Sequence, residues 1–268
     1  MRPTFVETNV LITVMTYPHP SQRHQELVCT AGITEAGEWV RLYPIDYRYR
    51  PNHQHFKKYQ WIRLGLAPRG FGNDDRKESR QPDLESIQIL GEPLSTENSW
   101  AQRRDIIDRL PHHTKIHLES LYAADRTSLG VVSPSEILDL TIEAAERDWK
   151  PEWQAVLDQF NLFHGQPKAL AKLPYKFSYV FRCSDTGDRP HSAMIEDWEL
   201  GVLFLKEKER LGSEEAAAKS VKKKYFDEIC AAGYERRSKN RPRSAARAGL
   251  RGGVKVDHRR RLVSRGVA

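Results

Sequence analysis

Cysteine is scarce in this 268-residue sequence: Cys29, Cys183 and Cys230 are odd in number and far apart. Such spacing excludes a disulfide framework and makes a reducing cytoplasm the expectation. Long hydrophobic runs are missing as well. No apolar stretch approaches the ~20 residues of a membrane-spanning helix, and the opening MRPTFVETNV has no secretory character. No membrane partner is expected. A glycine-rich phosphate loop, a nucleophile elbow and a paired-cysteine zinc motif are all absent from the sequence, so no standard enzyme class, cofactor or metal centre is implied.

Acidic residues are thin at the C-terminal end. From Tyr234 onward there are 12 Lys and Arg against 2 Asp and Glu, so this segment holds +10 of a chain whose net charge is +7. The remainder is mildly acidic at −3. Within it, residues 1–82 carry +4 and residues 83–172 carry −6. Positive charge outside the tail therefore collects in the N-terminal part, an asymmetry that points to a polyanion more directly than the total does.

That part contains the most distinctive stretch, WVRLYPIDYRYRPNHQHFKKYQWIR, residues 39–63. Alternate residues of a strand share a face. On this reading Val40 and Leu42 face one way, and Trp39, Arg41 and Tyr43 the other. Ile62, Leu64 and Leu66 oppose Tyr59, Trp61 and Arg63 in the same manner. Bases stack on aromatic planes and guanidinium groups hold phosphates, so two such strands compose a surface for RNA or single-stranded nucleic acid. Trp39, Tyr43, Tyr59 and Trp61 would stack bases. Arg41, Arg48, Arg50, Lys57, Lys58 and Arg63 would hold phosphates. The plainer alternative is a sheet buried on both faces, its arginines paired with acids elsewhere.

Along the chain, VLITVMT (10–16) predicts a buried strand, TYPHPS a loop, and ELVCTAGIT (26–34) a second strand turning through Glu35-Ala36-Gly37 into the Trp39 strand. Residues 68–83 predict a polar loop or lid, and Ser86–Leu90 a closing strand. Together these predict a small β-barrel or curved antiparallel sheet over residues 1–95. Residues 96–233 predict an α+β region of helices packed with a second small set of strands. There a helix is expected from Ser99, another from Thr114 with His113 and His117 four apart, and one opened by Pro151. Tyr175, Phe177, Tyr179, Phe181 and Cys183 alternate along a strand whose aromatic side reads as core. A helix from Pro190 would line up His191 and Glu199, giving with Asp197 a candidate catalytic trio for a nucleotide- or nucleic-acid-processing enzyme. Alternatively Asp197 is a helix N-cap, with Glu199 complementing the first turn. Ser213 caps a last helix that stops at Gly233. Residues 234–268 predict a disordered basic tail, a composition that a GC-rich gene read in a shifted frame also yields.

TYPHPS, ELVCTAGI, GEWVRLYPI and FKKYQWI, with FSYVFRC and HSAMIEDWE later, resemble a family of uncharacterised bacterial proteins over residues 10 to about 230. The resemblance implies no activity, so it assigns no catalytic residue. The N-terminal half is also similar to the PUA and ASCH class of small RNA-binding barrels, at the level of fold alone. Two further functions stay open beside nucleic-acid binding: the enzyme just described, and a non-enzymatic module that binds a protein partner.

Overall fold

The computed structural model describes residues 3–72, 74–161, 169–185 and 189–228. The tail 234–268, Cys230, Ile229 and the Gly233 helix stop lie outside the described residues. The chain begins with β1 (Val6–Met15), β2 (His19–Ser21), β3 (Gln25–Leu27), β4 (Thr30–Thr34) and β5 (Trp39–Leu42). After 3-10 turns at Tyr47–Tyr49 and Asn52–Gln54 come β6 (Trp61–Leu66), β7 (Ser79–Arg80), β8 (Pro82–Leu90) and α1 (Glu97–Asp108). Then follow β9 (His112–His113), α2 (Lys115–Asp125), β10 (Val131–Val132), β11 (Glu136–Ala144) and α3 (Pro151–Asn161). The last elements are β12 (Tyr175–Arg182), β13 (His191–Met194), α4 (Trp198–Leu211) and α5 (Glu214–Lys222), which runs into a π-helical turn at Lys223–Glu228. The fold is α+β, as the sequence predicts.

Two compact units share these elements. The first takes the chain up to Arg109, with Asp125–Thr127 and Glu146–Pro174; the second takes Leu110–Ala124, Ser128–Ala145 and the chain from Tyr175. In the first unit a six-stranded sheet in the order β7-β5-β4-β1-β6-β8 curls into a half-barrel. All its pairings are antiparallel except β5 with β7. Register shifts between Ile12 and Val14 in β1, and between Arg63 and Gly65 in β6, mark where the strands bend. Gly32 permits the close approach of β4 to β1, since a Cβ there would lie 2.4 Å from the Leu11 carbonyl oxygen and 2.5 Å from Val10 Cγ1. Leu11, Ile12, Ile33, Leu42, Ile62 and Leu64 are fully buried. Each contributes about 1.5–3 kcal/mol relative to an exposed side chain.

Four expectations change here. The strand read over 26–34 is divided, because Val28 donates its N–H to Ile45 (3.1 Å) while the Cys29 carbonyl accepts from Thr16 (3.0 Å). Those bonds interrupt the ladder, so β3 pairs with β2 and β4 with β1. Half of TYPHPS is thereby a strand, and Pro20 is tolerated because this two-stranded ribbon is short and outside the main sheet. The polar 68–83 segment supplies β7. Asp74 ties it down by accepting from Arg76 Nε (2.8 Å) and from the Ser79 hydroxyl (2.6 Å). The first long helix also starts ahead of Ser99. The Ser95 hydroxyl accepts the Glu97 N–H at 3.0 Å, and Gln102 Oε1 accepts the Ser95 N–H at 3.1 Å.

The second unit holds the three-stranded antiparallel sheet β11-β12-β13 and the two-stranded parallel ribbon β9-β10. On β12, Phe177, Tyr179 and Phe181 are buried, with Cys183 just beyond the strand. Phe204 of α4 meets the rings of Tyr175 and Phe177 at centroid distances of 5.9 and 6.3 Å. The Tyr179 hydroxyl donates to the Tyr225 carbonyl at 3.1 Å, giving this buried polar atom its partner. Residues from His191 form β13 instead of a helix, because they pair with β12 through Phe181. The helix waits for Asp197, whose carboxylate accepts from the backbone N–H groups of Glu199 (2.7 Å) and Leu200 (3.4 Å). Gly212, with φ of 65°, closes it, and Ser213 caps α5 by accepting from Ala216.

Candidate functional site

The register of the main sheet fixes what shares a face. Trp39 pairs with Ile33, Ile33 with Leu11, Leu11 with Trp61, and Trp61 with Leu90. One row therefore crosses five strands with a tryptophan on β5 and another on β6. Both tryptophans are half-buried, while Leu11 and Ile33 between them are covered. Three strand spacings separate the two rings, roughly 14 Å along the sheet.

The neighbouring cations are differently placed from the sequence expectation. Arg41 is only 4% exposed, and burial, followed by the nearby Arg76, pulls its pKa down to about 10. Arg48 pairs with the buried Glu26 at 2.9 Å. Arg50 donates to Asp46 (2.9 Å) and Glu85 (2.8 Å). Arg63 donates from Nε to Asn9 at 3.1 Å and lies 3.7 Å from Glu7. An open cleft of about 440 Å³ surrounds this last group, lined by Glu7, Glu35, Glu38 and Arg63 among others. Three carboxylates around one guanidinium do not suit a phosphate. Lys57 remains exposed and Lys58 half-buried.

Tyr43 is half-buried beside the β5 end. Tyr59, expected on the outward face, is not in β6 at all. It takes a left-handed φ of 63°, is 2% exposed, and carries the Arg103 guanidinium 4.1 Å over its ring. Its backbone is fastened on both sides, the N–H to Ile12 and the carbonyl to the Leu94 N–H. Arg41 and Tyr59 are thus interior groups, positioned by backbone bonds that the alternation of residue types does not reveal.

Sequence reasoning missed a polar cluster around Glu26, whose 1% exposure is unusual for a carboxylate. Its pKa is raised by burial, against which the Arg48 charge and hydrogen bond pull downward. Tyr17 is pushed up to about 12, chiefly by burial. The signal was present as a lone acid at the head of ELVCTAGI, opposite an arginine-rich loop.

In the second unit, the candidate trio of His191, Asp197 and Glu199 is rearranged. Asp197 is committed to capping α4, and Glu199 stands in the first turn of that helix. His191 instead meets Cys183 and Asp185, one ligating atom from each lying within 4.8 Å of the others. The hairpin explains the meeting. His191 pairs with Phe181 near the end of β12, with Cys183 just beyond the strand and Asp185 in the turn that follows. Cys183 is buried, Asp185 exposed and His191 half-buried. Burial lowers the His191 pKa, as does the nearby Lys115. A separate histidine group stands at the ribbon: His113 Nδ1 is 3.2 Å from His117 Nδ1, and His112 Nδ1 is 2.5 Å from the Ser133 hydroxyl. His113 belongs to β9 and not to a helix, so its encounter with His117 comes from the turn into α2, where Thr114 accepts the His117 N–H.

Two family models match the chain. One, Domain of unknown function (DUF8758), covers residues 6–109, and the other, Domain of unknown function (DUF8757), covers residues 111–238. No curated protein matches it.

Proposed function

We propose that this chain, which carries the DUF8758 and DUF8757 domains in succession, binds single-stranded nucleic acid on the tryptophan row of its N-terminal sheet. The observation that supports the reading is the pairing of two half-exposed indoles, Trp39 and Trp61, on one row of one sheet face. Aromatic rings on a sheet surface stack bases regardless of sequence, each stack being worth about 1–3 kcal/mol. The covered stretch at Leu11 and Ile33 divides the surface into two stacking points instead of one continuous platform.

Because Arg48, Arg50 and Arg63 are engaged by carboxylates and Arg41 is interior, phosphate contact falls chiefly to the exposed Lys57. One neutralised phosphate gives a salt slope of roughly −0.7 for a single strand, far shallower than an arginine-lined groove gives. The test is fluorescence anisotropy of a labelled oligo-uridine and its deoxy counterpart with the full chain. Trp39→Ala and Trp61→Ala should each weaken binding about 5- to 150-fold, the range set by one stacking contact. Unchanged affinity in the double variant, with circular dichroism preserved, would refute the reading and assign any affinity to the basic tail.

A further inference from the structure

The structure assigns a zinc-binding site to Cys183, Asp185 and His191, on the β12–β13 hairpin of the second unit. Zinc accepts thiolate, imidazole and carboxylate together, whereas magnesium and calcium demand oxygen ligands throughout. A buried thiol beside an imidazole and a carboxylate is thus a donor set with a specific metal preference. Cys183 and Asp185 follow the end of β12, and His191 opens its antiparallel partner β13. Their ligating atoms are all within 4.8 Å of one another, a separation that a shared ion about 2.0–2.3 Å from each needs little movement to close.

A further observation points the same way. His191 Nε2 is buried and makes no hydrogen bond among the described residues, although it is a polar atom that normally finds a partner. The Lys115 ammonium, which would repel a cation, is held by Glu119. Binding releases the thiol proton to solvent, and one thiolate with one carboxylate then balances the 2+ charge of the ion. Three protein ligands leave the fourth tetrahedral position for water, the pattern of catalytic rather than structural zinc sites. The exposed Asp185 side provides the route of entry.

The experiment uses the full chain, stripped with chelator and loaded with zinc alone, then with cobalt. We expect about one zinc per chain by elemental analysis and, with cobalt, the near-ultraviolet charge-transfer band of a thiolate ligand. Cys183→Ser should abolish that band, and Asp185→Asn, at an exposed position that leaves folding intact, should weaken zinc at least tenfold. His117→Ala, at the separate histidine group, should leave both readings unchanged. Wild-type protein that takes up no zinc while folded overturns the inference. So does zinc uptake that survives Cys183→Ser and Asp185→Asn but is lost in His117→Ala.

Discussion

Removing the Arg48 guanidinium should destabilise the first unit in a pH-dependent way. Its Nη1 stands 2.9 Å from Glu26 Oε2, and the two side chains are 15% and 1% exposed. At that distance the gross attraction is about 6 kcal/mol for an effective dielectric near 20. Arg48→Ala cannot cost that much, because the stranded carboxylate can take up a proton instead. Starting from the ordinary glutamate value of 4.5, protonating Glu26 at pH 7 costs about 3.4 kcal/mol, and at pH 5 about 0.7 kcal/mol. The pH-dependent part of the loss is therefore bounded by about 3 kcal/mol at neutrality and falls below 1 kcal/mol at pH 5. The sign agrees with the wild-type protein. A carboxyl whose folded pKa is raised stabilises the fold fully below its unfolded pKa and loses that contribution as pH rises through the folded value. Urea unfolding at pH 5, 6 and 7 measures the difference, with the double variant Glu26→Gln, Arg48→Ala as the pH-independent reference. A single-variant loss that stays the same across these three pH values would refute the assignment of Glu26 as a buried charge dependent on Arg48.

Other consequences are simpler to check. Asp197→Ala removes the acceptor for two backbone N–H groups of α4 and should cost about 1 kcal/mol in urea unfolding, with Asp197→Asn close to wild type. Phe204→Ala empties a fully buried position against Tyr175 and Phe177, for a loss of about 3–5 kcal/mol and an earlier thermal midpoint. Lys222→Ala breaks a 2.7 Å pair with Asp139 whose side chains are 36% and 45% exposed, so its effect should stay under about 1 kcal/mol and shrink further with salt. Lys222 also holds the Asp139 pKa down, so the pair's small contribution, present above the ordinary carboxylate range, fades as pH falls through the lowered value.

Much of the scaffold was legible because it depends on periodicity. Val40 and Ile62 lie on the opposite side from Trp39 and Trp61, and the aromatic alternation of β12 is a core face, as a period of two requires. The caps at Asp197 and Ser213 were legible for the same local reason. What the residues could not declare was partner choice. An arginine reads identically whether it awaits a phosphate or answers a carboxylate far along the chain, and Arg50 answers Glu85 across a sequence separation of 35. Tyr59 likewise sits at the right spacing for the outward face, yet its left-handed backbone turns it in. The Cys183 grouping stayed hidden because neither reading of the segment placed a strand at His191; the strand that begins there brings the imidazole back beside the thiol.

Gly32 imposes a limit on how this architecture can drift over evolutionary time. Any substituent on its α-carbon must displace a carbonyl of the central strand or a methyl of Val10, so the crease tolerates only a hydrogen there. Lineages that inherit the same curl should retain glycine at this point even where the indoles have been exchanged. A descendant that acquired alanine would have to shift the strand pairing that carries both tryptophans.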